Sequence, residues 1–91
     1  MKKISKNWYQ IPVAKDKWGI TTYAVAVLRT EHNEWSVCDG EVEIAGKPAD
    51  MRRYVFIKLR AAKAFARDMA EAISNEISYP TISDQKYLDL D

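Results

Sequence analysis

The sequence predicts a single α+β domain in which an antiparallel meander of four to five strands packs against one C-terminal helix. Three observations support this fold class. Short β-branched and aromatic runs, separated by turn residues, fill the first part of the chain. An alanine-rich stretch with helical spacing of its apolar residues follows them. The length of 91 residues, with 47% hydrophobic and 30% charged residues, is typical of one small globular domain.

The first two predicted strands are β-branched or aromatic runs. NWYQIPVA predicts a strand over about 8–14, and Pro12 assigns it to a sheet edge because proline donates no ladder hydrogen bond. ITTYAVAVLRT predicts a strand over about 20–29 with apolar or small residues on both faces. Between the two strands, Gly19 in KDKWG can adopt the positive φ that a tight turn requires.

The strongest local signal is the stretch EWSVCDGEVEI. Asp39-Gly40 favours a two-residue hairpin turn, which would join strands over about 34–38 and 41–45. The register across that turn places Trp35, Val37, Val42 and Ile44 on one face and Ser36, Cys38, Glu41 and Glu43 on the other. The second face is predicted to be an exposed acidic surface, and this assignment depends on the turn.

Two interpretations fit MRRYVFIKLRAAKAFARDMAEAIS. One helix can begin at Asp50, a good N-cap residue, and continue with apolar spacing to Ile77. We favour a strand over about 52–57 and a helix over about 59–77, because Phe56 and Ile57 would lie off the apolar stripe of a longer helix. Basic residues at the start of the shorter helix oppose its dipole, at about 0.3–1 kcal/mol per charge. The side chains expected to contact the sheet are Phe65, Met69, Ile73 and Ile77.

The C-terminal segment follows a helix-ending signal. Tyr79-Pro80 stops the helical pattern, so the domain is expected to cover 1–78 and residues 79–91 to form an acidic tail. Two alternatives remain open for this tail. It is either mobile, or its apolar residues Tyr87, Leu88 and Leu90 pack onto the core or onto a partner.

No catalytic, cofactor-binding or metal-binding constellation is predicted. His32 is the single histidine and lies in a polar turn, and Cys38 is the single cysteine, expected to be a semi-exposed thiol beside Glu41. One cysteine excludes an internal disulfide and fits a reducing, cytoplasmic setting. The apolar runs are shorter than the roughly 20 residues of a membrane span, so no membrane partner is predicted.

The candidate binding residues are charged and aromatic surface groups. The net charge is only +1, but the stretch 51–67 contains basic residues and no acid. Arg60, Lys63 and Arg67 are spaced three and four apart and would form a ridge on the helix. This ridge is either solvated, a binding surface for anions, or paired with the glutamates Glu31, Glu34, Glu41 and Glu43. Trp18 lies in a turn and is expected to be exposed, as in protein-contact hot spots. The predicted partner-binding set is Arg53, Lys58, Arg60, Lys63, Arg67, Trp18, Glu41 and Glu43.

Residues 34–73 resemble a known layout. The order of Trp-containing strand, glycine, strand, turn, strand and alanine-rich helix is similar to that of many small phage-encoded proteins, including some anti-CRISPR proteins. The resemblance implies a phage or mobile-element protein that inhibits or modulates a host nucleoprotein or defence complex by docking on it. The same order also resembles the arm-type DNA-binding domain of tyrosine recombinases and AP2 domains, which implies DNA binding through the sheet face opposite the helix.

We therefore expect a non-enzymatic binding protein that docks on a larger host protein or nucleoprotein complex, in the host-cell cytoplasm if it is phage-encoded. Nucleic acid is the second choice of partner, through a sheet-type DNA-binding module. An open edge strand also allows a homodimer.

Overall fold

The computed structural model describes residues 1–42 and 52–91, with positions 52 and 53 described by their backbone alone. In these residues a five-stranded antiparallel sheet has its strands in sequential order, and a long helix packs against one face. The strands are β1 Lys2–Ser5, β2 Trp8–Lys15, β3 Thr21–Arg29, β4 Trp35–Glu41 and β5 Arg52–Phe56. The helices are α1 Leu59–Ser74 and the short α2 Gln85–Leu88. The predicted fold class, an antiparallel meander packed against a C-terminal helix, is confirmed.

The core lies between α1 and the sheet face formed by alternate residues of β2 to β5. Val25 and Val27 of β3 and Val37 of β4 are fully buried there, together with Phe65 and Met69 of α1. The small alanine side chains beside Phe65 and Met69 allow the helix to approach the strands closely. The residues of α1 that are buried are Ala61, Ala62, Phe65, Ala66, Met69, Ala70 and Ala72.

The predicted hairpin turn at Asp39-Gly40 is wrong. Both residues lie inside β4, which runs straight from Trp35 to Glu41 and pairs with β3 along that whole length, with Ala24 opposite Gly40. The two strands predicted over 34–38 and 41–45 are thus one strand through residue 41. Residues 43–45 of the second predicted strand lie outside the described residues. Asp39-Gly40 has turn propensity, but β3 and β5 pair with this strand on both sides.

The side chain of Asp39 provides a tertiary reason for the extended backbone. Asp39 is only 4% exposed, and its Oδ2 accepts hydrogen bonds from Tyr23 Oη at 2.7 Å and from Tyr79 Oη at 2.9 Å. A buried carboxylate without such donors would be strongly destabilising. Burial, followed by the hydrogen bond to Asp39, raises the pKa of Tyr23 well above its usual value. These contacts join β3, β4 and the segment after α1.

The exposed acidic face predicted for the hairpin does not form as predicted. Trp35 and Val37 do share the core face, but a continuous strand places Glu41 on the same alternation as Trp35, opposite Tyr23. Cys38 lies in the middle of β4 and is buried, so the expected semi-exposed thiol beside Glu41 is also wrong.

The strand-then-helix interpretation of residues 52–74 is confirmed, since β5 ends at Phe56 and α1 begins at Leu59. Lys58 at the N-cap position makes no side-chain capping hydrogen bond, and the first turn contains no acid. Asp91 Oδ1 accepts hydrogen bonds from the backbone N–H groups of Ile57 and Lys58, both at 2.8 Å, and so fixes the backbone just before the first turn of α1. A carboxylate there is also favoured by the helix dipole.

The helix is shorter than the predicted 59–77. It ends at Ser74 because Glu76 adopts a left-handed conformation with φ of 54°, and the N–H of Ile77 bonds back to the carbonyl oxygen of Ala72 at 3.0 Å. Ile77 therefore lies past the end of the helix and is 61% exposed, so its predicted contact with the sheet is wrong.

The N-terminal strand β1 was not predicted. It pairs with β2 only as far as Gln10, so Pro12 lies where β2 has no neighbour on that side. Proline is tolerated there because no ladder hydrogen bond is needed. The sheet therefore has β1 and β5 at its edges. The exposed lysines of β1 discourage strand pairing between copies at that edge.

The C-terminal segment contributes to the core. Tyr87 is fully buried against Phe65 and Phe56, Leu90 packs against the same cluster, and Leu88 is exposed. Tyr87 Oη donates a hydrogen bond to Asp68 Oδ2, which also pairs with Lys86 Nζ at 2.8 Å. Burial, with the hydrogen bond to Asp68, raises the pKa of Tyr87 to about 12. Burial also raises the pKa of Asp68, but the hydrogen bonds from Lys86 and Tyr87 outweigh it and lower that pKa overall.

We predict that Tyr87→Ala destabilises the protein by about 3–5 kcal/mol, because it leaves a ring-sized cavity in the core. Leu88→Ala, one residue away on the exposed side of α2, should change the free energy of unfolding by less than about 0.5 kcal/mol. Urea unfolding followed by circular dichroism measures both. Equal stability of the two variants would contradict the placement of Tyr87 in the core.

We predict that Asp68 makes folding sensitive to acid. Because its pKa is lowered in the folded state, its contribution is present above the unfolded pKa near 3.8 and is lost as the pH falls through the folded value. The stability advantage of the wild type over Asp68→Asn should therefore shrink between pH 6 and pH 3 in urea titrations. Glu71→Gln, which removes an exposed acid from the same helix, controls for the change of net charge. An advantage that persists undiminished at pH 3 would rule out the carboxylate as its source.

Candidate functional site

The first turns of α1 line an open groove of about 480 Å³ on the protein surface. Its described walls are Leu59, Arg60, Lys63 and Arg67, and we call it the basic groove. Positions 59, 63 and 67 are four residues apart, so their side chains lie one above another along the helix. The structure thus brings together the three basic residues of the predicted ridge and adds an apolar residue beside them.

An aromatic ring of the sheet holds the central cation of the groove. Lys63 Nζ lies 4.1 Å from the ring centroid of Tyr9 on β2. The Tyr9 ring in turn lies 6.0 Å from that of Trp35, and the guanidinium carbon of Arg29 lies 5.1 Å from the Trp35 ring centroid. Cations cover both rings, and Trp35 is only 5% exposed, so these aromatics stabilise the basic side chains and leave little ring surface for a ligand.

The cations of the basic groove have no acidic partner among the residues described. Among residues 1–42 and 54–91, whose side chains are described, the ion pairs are His32–Glu31 and Lys86–Asp68, and neither includes a groove residue. The predicted alternative, in which the ridge pairs with Glu31, Glu34 or Glu41, is not observed. Glu43, the fourth glutamate of that alternative, lies outside the described residues.

This arrangement is unfavourable for the stability of the free protein. Arg60 lies in the first turn of α1, where its charge opposes the helix dipole, and the Asp91 carboxylate beside the helix start offsets part of that cost. Lys63 and Arg67 are four residues apart, and like charges at that spacing destabilise a helix by a few tenths of a kcal/mol. The basic groove therefore gathers three cations that make no ion pair with a described acidic side chain, at a small electrostatic cost to α1.

The remaining predicted site residues lie elsewhere. Lys58 is exposed at the start of α1, outside the described groove walls. Arg53 belongs to β5 opposite Cys38, and its side chain is not described. Trp18 is 73% exposed at the β2–β3 turn, at the end of the sheet away from the start of α1. Glu41 is exposed at the end of β4, while Glu43 lies outside the described residues. The predicted set thus divides between separate surfaces.

Sequence patterns identified the ridge but not its aromatic support. The strand pattern placed Tyr9 in β2 but did not indicate which face of the sheet it occupies. In the structure Tyr9, Ile11 and Val13 alternate along β2, and all three pack against the core beside α1. That alternation is the signal that places Tyr9 on the helix side of the sheet. The contact of Tyr9 with Lys63 depends on how α1 crosses β2, which no local pattern contains.

Other kinds of site find little support in the described part of the chain. No group of three or more histidine, cysteine or carboxylate side chains is placed to hold a metal ion there. His32 is exposed in the β3–β4 turn, with Nε2 3.5 Å from Glu31 Oε1. Neither helix within residues 1–42 and 52–91 has the length and hydropathy needed to traverse a bilayer.

We predict that Arg60→Gln stabilises the free protein by less than about 1 kcal/mol, because it removes a cation that opposes the dipole at the start of α1, where the Asp91 carboxylate already offsets part of the cost. Urea unfolding at low ionic strength should show the gain, and added salt should reduce it. Lys17→Gln, which removes an exposed lysine from the β2–β3 turn, is the matched control and should leave stability nearly unchanged. A loss of stability in Arg60→Gln would show that Arg60 has a structural partner.

Comparisons with known proteins assign no family to this chain. No protein-family model, curated protein sequence or solved structure matches it. The function is therefore inferred from the surfaces described above.

Proposed function

We propose that this protein is a non-enzymatic binding module that docks on an acidic surface of a larger protein through the basic groove. The observation that carries the proposal is the convergence of Arg60, Lys63 and Arg67 in one groove with no acidic partner among the residues described. Arginine is well suited to this role because its planar guanidinium can bind a carboxylate through two hydrogen bonds.

The groove also has an apolar component that favours a protein partner. Leu59 lines it beside the three cations, so a partner surface combining carboxylates with an apolar side chain would match it. Protein interfaces are enriched in arginine and commonly surround an apolar centre with polar groups. A partner that presented only phosphates would leave Leu59 without a complementary group.

The alternative of a sheet-type DNA-binding module has less support. Such modules would read DNA with the sheet face opposite the helix. On β3 and β4 that face carries Ala24, Ala26, Ser36 and Cys38, all of them buried and none of them basic. The described cations of α1 lie on the other side of the sheet.

We further propose that this docking inhibits or modulates a host complex in the cytoplasm. The resemblance of residues 34–73 to phage-encoded anti-defence proteins supports a role in inhibiting or modulating a host complex. The single buried cysteine is compatible with action in the cytoplasm. The groove itself supports only the docking activity.

Co-purification with matched charge variants tests the proposal. Tagged wild type, a groove variant (Arg60→Gln, Lys63→Gln, Arg67→Gln) and a control variant (Lys2→Gln, Lys6→Gln, Lys15→Gln) are incubated with nuclease-treated host lysate. Both variants lose three positive charges. We expect the wild type and the control to retain the same protein, and the groove variant to bind it at least about 100-fold more weakly, since each charge-assisted hydrogen bond contributes about 1.5–3 kcal/mol.

Two results would contradict this proposal. Equal recovery by the groove and control variants would show that the basic groove is not the docking surface. A protein that is recovered from untreated lysate and lost from nuclease-treated lysate, together with direct binding to duplex DNA that weakens steeply with salt, would support the nucleic-acid alternative instead.

A further inference from the structure

The β2–β3 turn presents an exposed tryptophan on a rigid backbone. Asp16 Oδ1 accepts hydrogen bonds from the N–H groups of Trp18 at 2.9 Å and Ile20 at 3.0 Å, and Gly19 takes the positive φ of 80° that closes the turn. The carbonyl oxygen of Asp16 accepts from the N–H of Gly19 at 3.0 Å. Trp18 and Ile20 nevertheless lie largely in solvent. Residues 15–20, which we call the hairpin tip, therefore hold two large apolar side chains ready for contact at little further cost in backbone entropy.

An apolar cleft lies on a different part of the molecule, between the edge strand β5 and the C-terminal segment. It measures about 280 Å³ and is lined by Val55, Ile82, Tyr87, Leu88 and Asp91, among others. We call it the C-terminal cleft. Leu88 lies at the rim of the C-terminal cleft and is 54% exposed. No contact in the described residues requires an apolar side chain at this position. Like the hairpin tip, the cleft exposes apolar surface that water solvates poorly.

We propose that the hairpin tip of one copy of this protein inserts Trp18 into the C-terminal cleft of a second copy. This inference is independent of the basic groove and of the proposed docking function. The contact joins two different surfaces of the same chain, so it is heterologous and can close into a ring or extend into a chain of copies.

The two surfaces match in size. A protein cavity of about 150 Å³ holds a benzene ring, so a cleft of about 280 Å³ has room for the larger indole ring. Lys17 Nζ lies 4.5 Å from the Trp18 ring centroid and covers one side of the indole. The uncovered side of the ring remains available to the apolar walls of the cleft.

The two surfaces also match in charge. Lys15 and Lys17 flank Trp18 and are exposed, and Asp16 directs its Oδ1 into the turn. Three exposed acids border the cleft or lie on the helix beside it, namely Asp84, Asp89 and Asp91. Lys86, the one cation of α2, is paired with Asp68. Insertion of the tip would therefore bring lysines towards aspartates. Direct pairing of two β1 edges would bring lysines together instead.

Sedimentation of the purified full chain tests the contact without any other partner. The wild type should associate as its concentration rises from micromolar to millimolar, and added salt should weaken the association because it screens the lysine–aspartate attraction. Trp18→Ala should weaken it at least about 30-fold, as expected for a tryptophan hot spot. The control is Ile77→Ala. Ile77 is 61% exposed, compared with 73% for Trp18, but it belongs to neither the hairpin tip nor the C-terminal cleft, so this variant should associate like the wild type.

A mixing experiment separates tip-to-cleft contact from other modes. Leu88→Gln alters the cleft and keeps the tip, whereas Trp18→Ala alters the tip and keeps the cleft. Each variant should be monomeric alone at a concentration where the wild type associates. An equimolar mixture should form a one-to-one pair, because the intact tip of one variant fits the intact cleft of the other. Circular dichroism of each variant checks that it is folded.

The proposal is overturned if the wild type stays monomeric throughout, or if Trp18→Ala associates as strongly as the wild type. It is also overturned if both variants are folded and monomeric but fail to pair when mixed, because the mixture still contains an intact tip and an intact cleft. Association of Leu88→Gln alone would indicate a contact between two tips, and association of Trp18→Ala alone a contact between two clefts. Monomeric wild type that binds vesicles of phosphatidylcholine and phosphatidylserine through Trp18 would instead assign the tip to a lipid surface.

Discussion

The fold depends on β4 remaining extended through Asp39 and Gly40. This strand is hydrogen-bonded to β3 on one side and to β5 on the other, so a turn at Asp39 would remove the pairing that positions β5 and, through it, the start of α1. The buried Asp39 carboxylate requires hydrogen-bond donors, and Tyr23 and Tyr79 supply them from β3 and from the segment after α1. One polar side chain thus links three parts of the chain in the middle of an apolar domain.

The C-terminal segment completes what α1 lacks. The helix begins without a local cap or an acid in its first turn, and Asp91 provides both a hydrogen-bond acceptor and a negative charge from 33 residues away along the chain. Tyr87 fills the core beside Phe65 and ties its hydroxyl group to Asp68 on α1. A small domain buries a limited fraction of its surface, so one additional buried ring is a considerable part of its core. The acidic end of the chain is accordingly a structural element.

Three separate places on the surface, the basic groove, the hairpin tip and the C-terminal cleft, expose charged or apolar side chains. The basic groove gathers cations at a cost to the stability of α1, and the hairpin tip and C-terminal cleft expose apolar side chains at a cost in hydration. Folding alone would favour neither arrangement. The two proposed contacts, with an acidic partner at the groove and with a second copy at the tip and cleft, would use separate surfaces and would not overlap.

The sequence by itself determined the fold class, the strand-to-helix transition before Leu59, the ridge formed by Arg60, Lys63 and Arg67, and the exposure of Trp18, because each follows from short-range periodicity or turn chemistry. Only the tertiary structure decided the rest. Asp39-Gly40 has the local preference of a turn, yet pairing on both sides and burial of its carboxylate hold it in a strand. The placement of Tyr87, the hydrogen bonds of Asp91 to the backbone before α1 and the contact between Lys63 and Tyr9 join residues far apart in the chain. Such contacts depend on how the elements pack, and no local pattern encodes that packing.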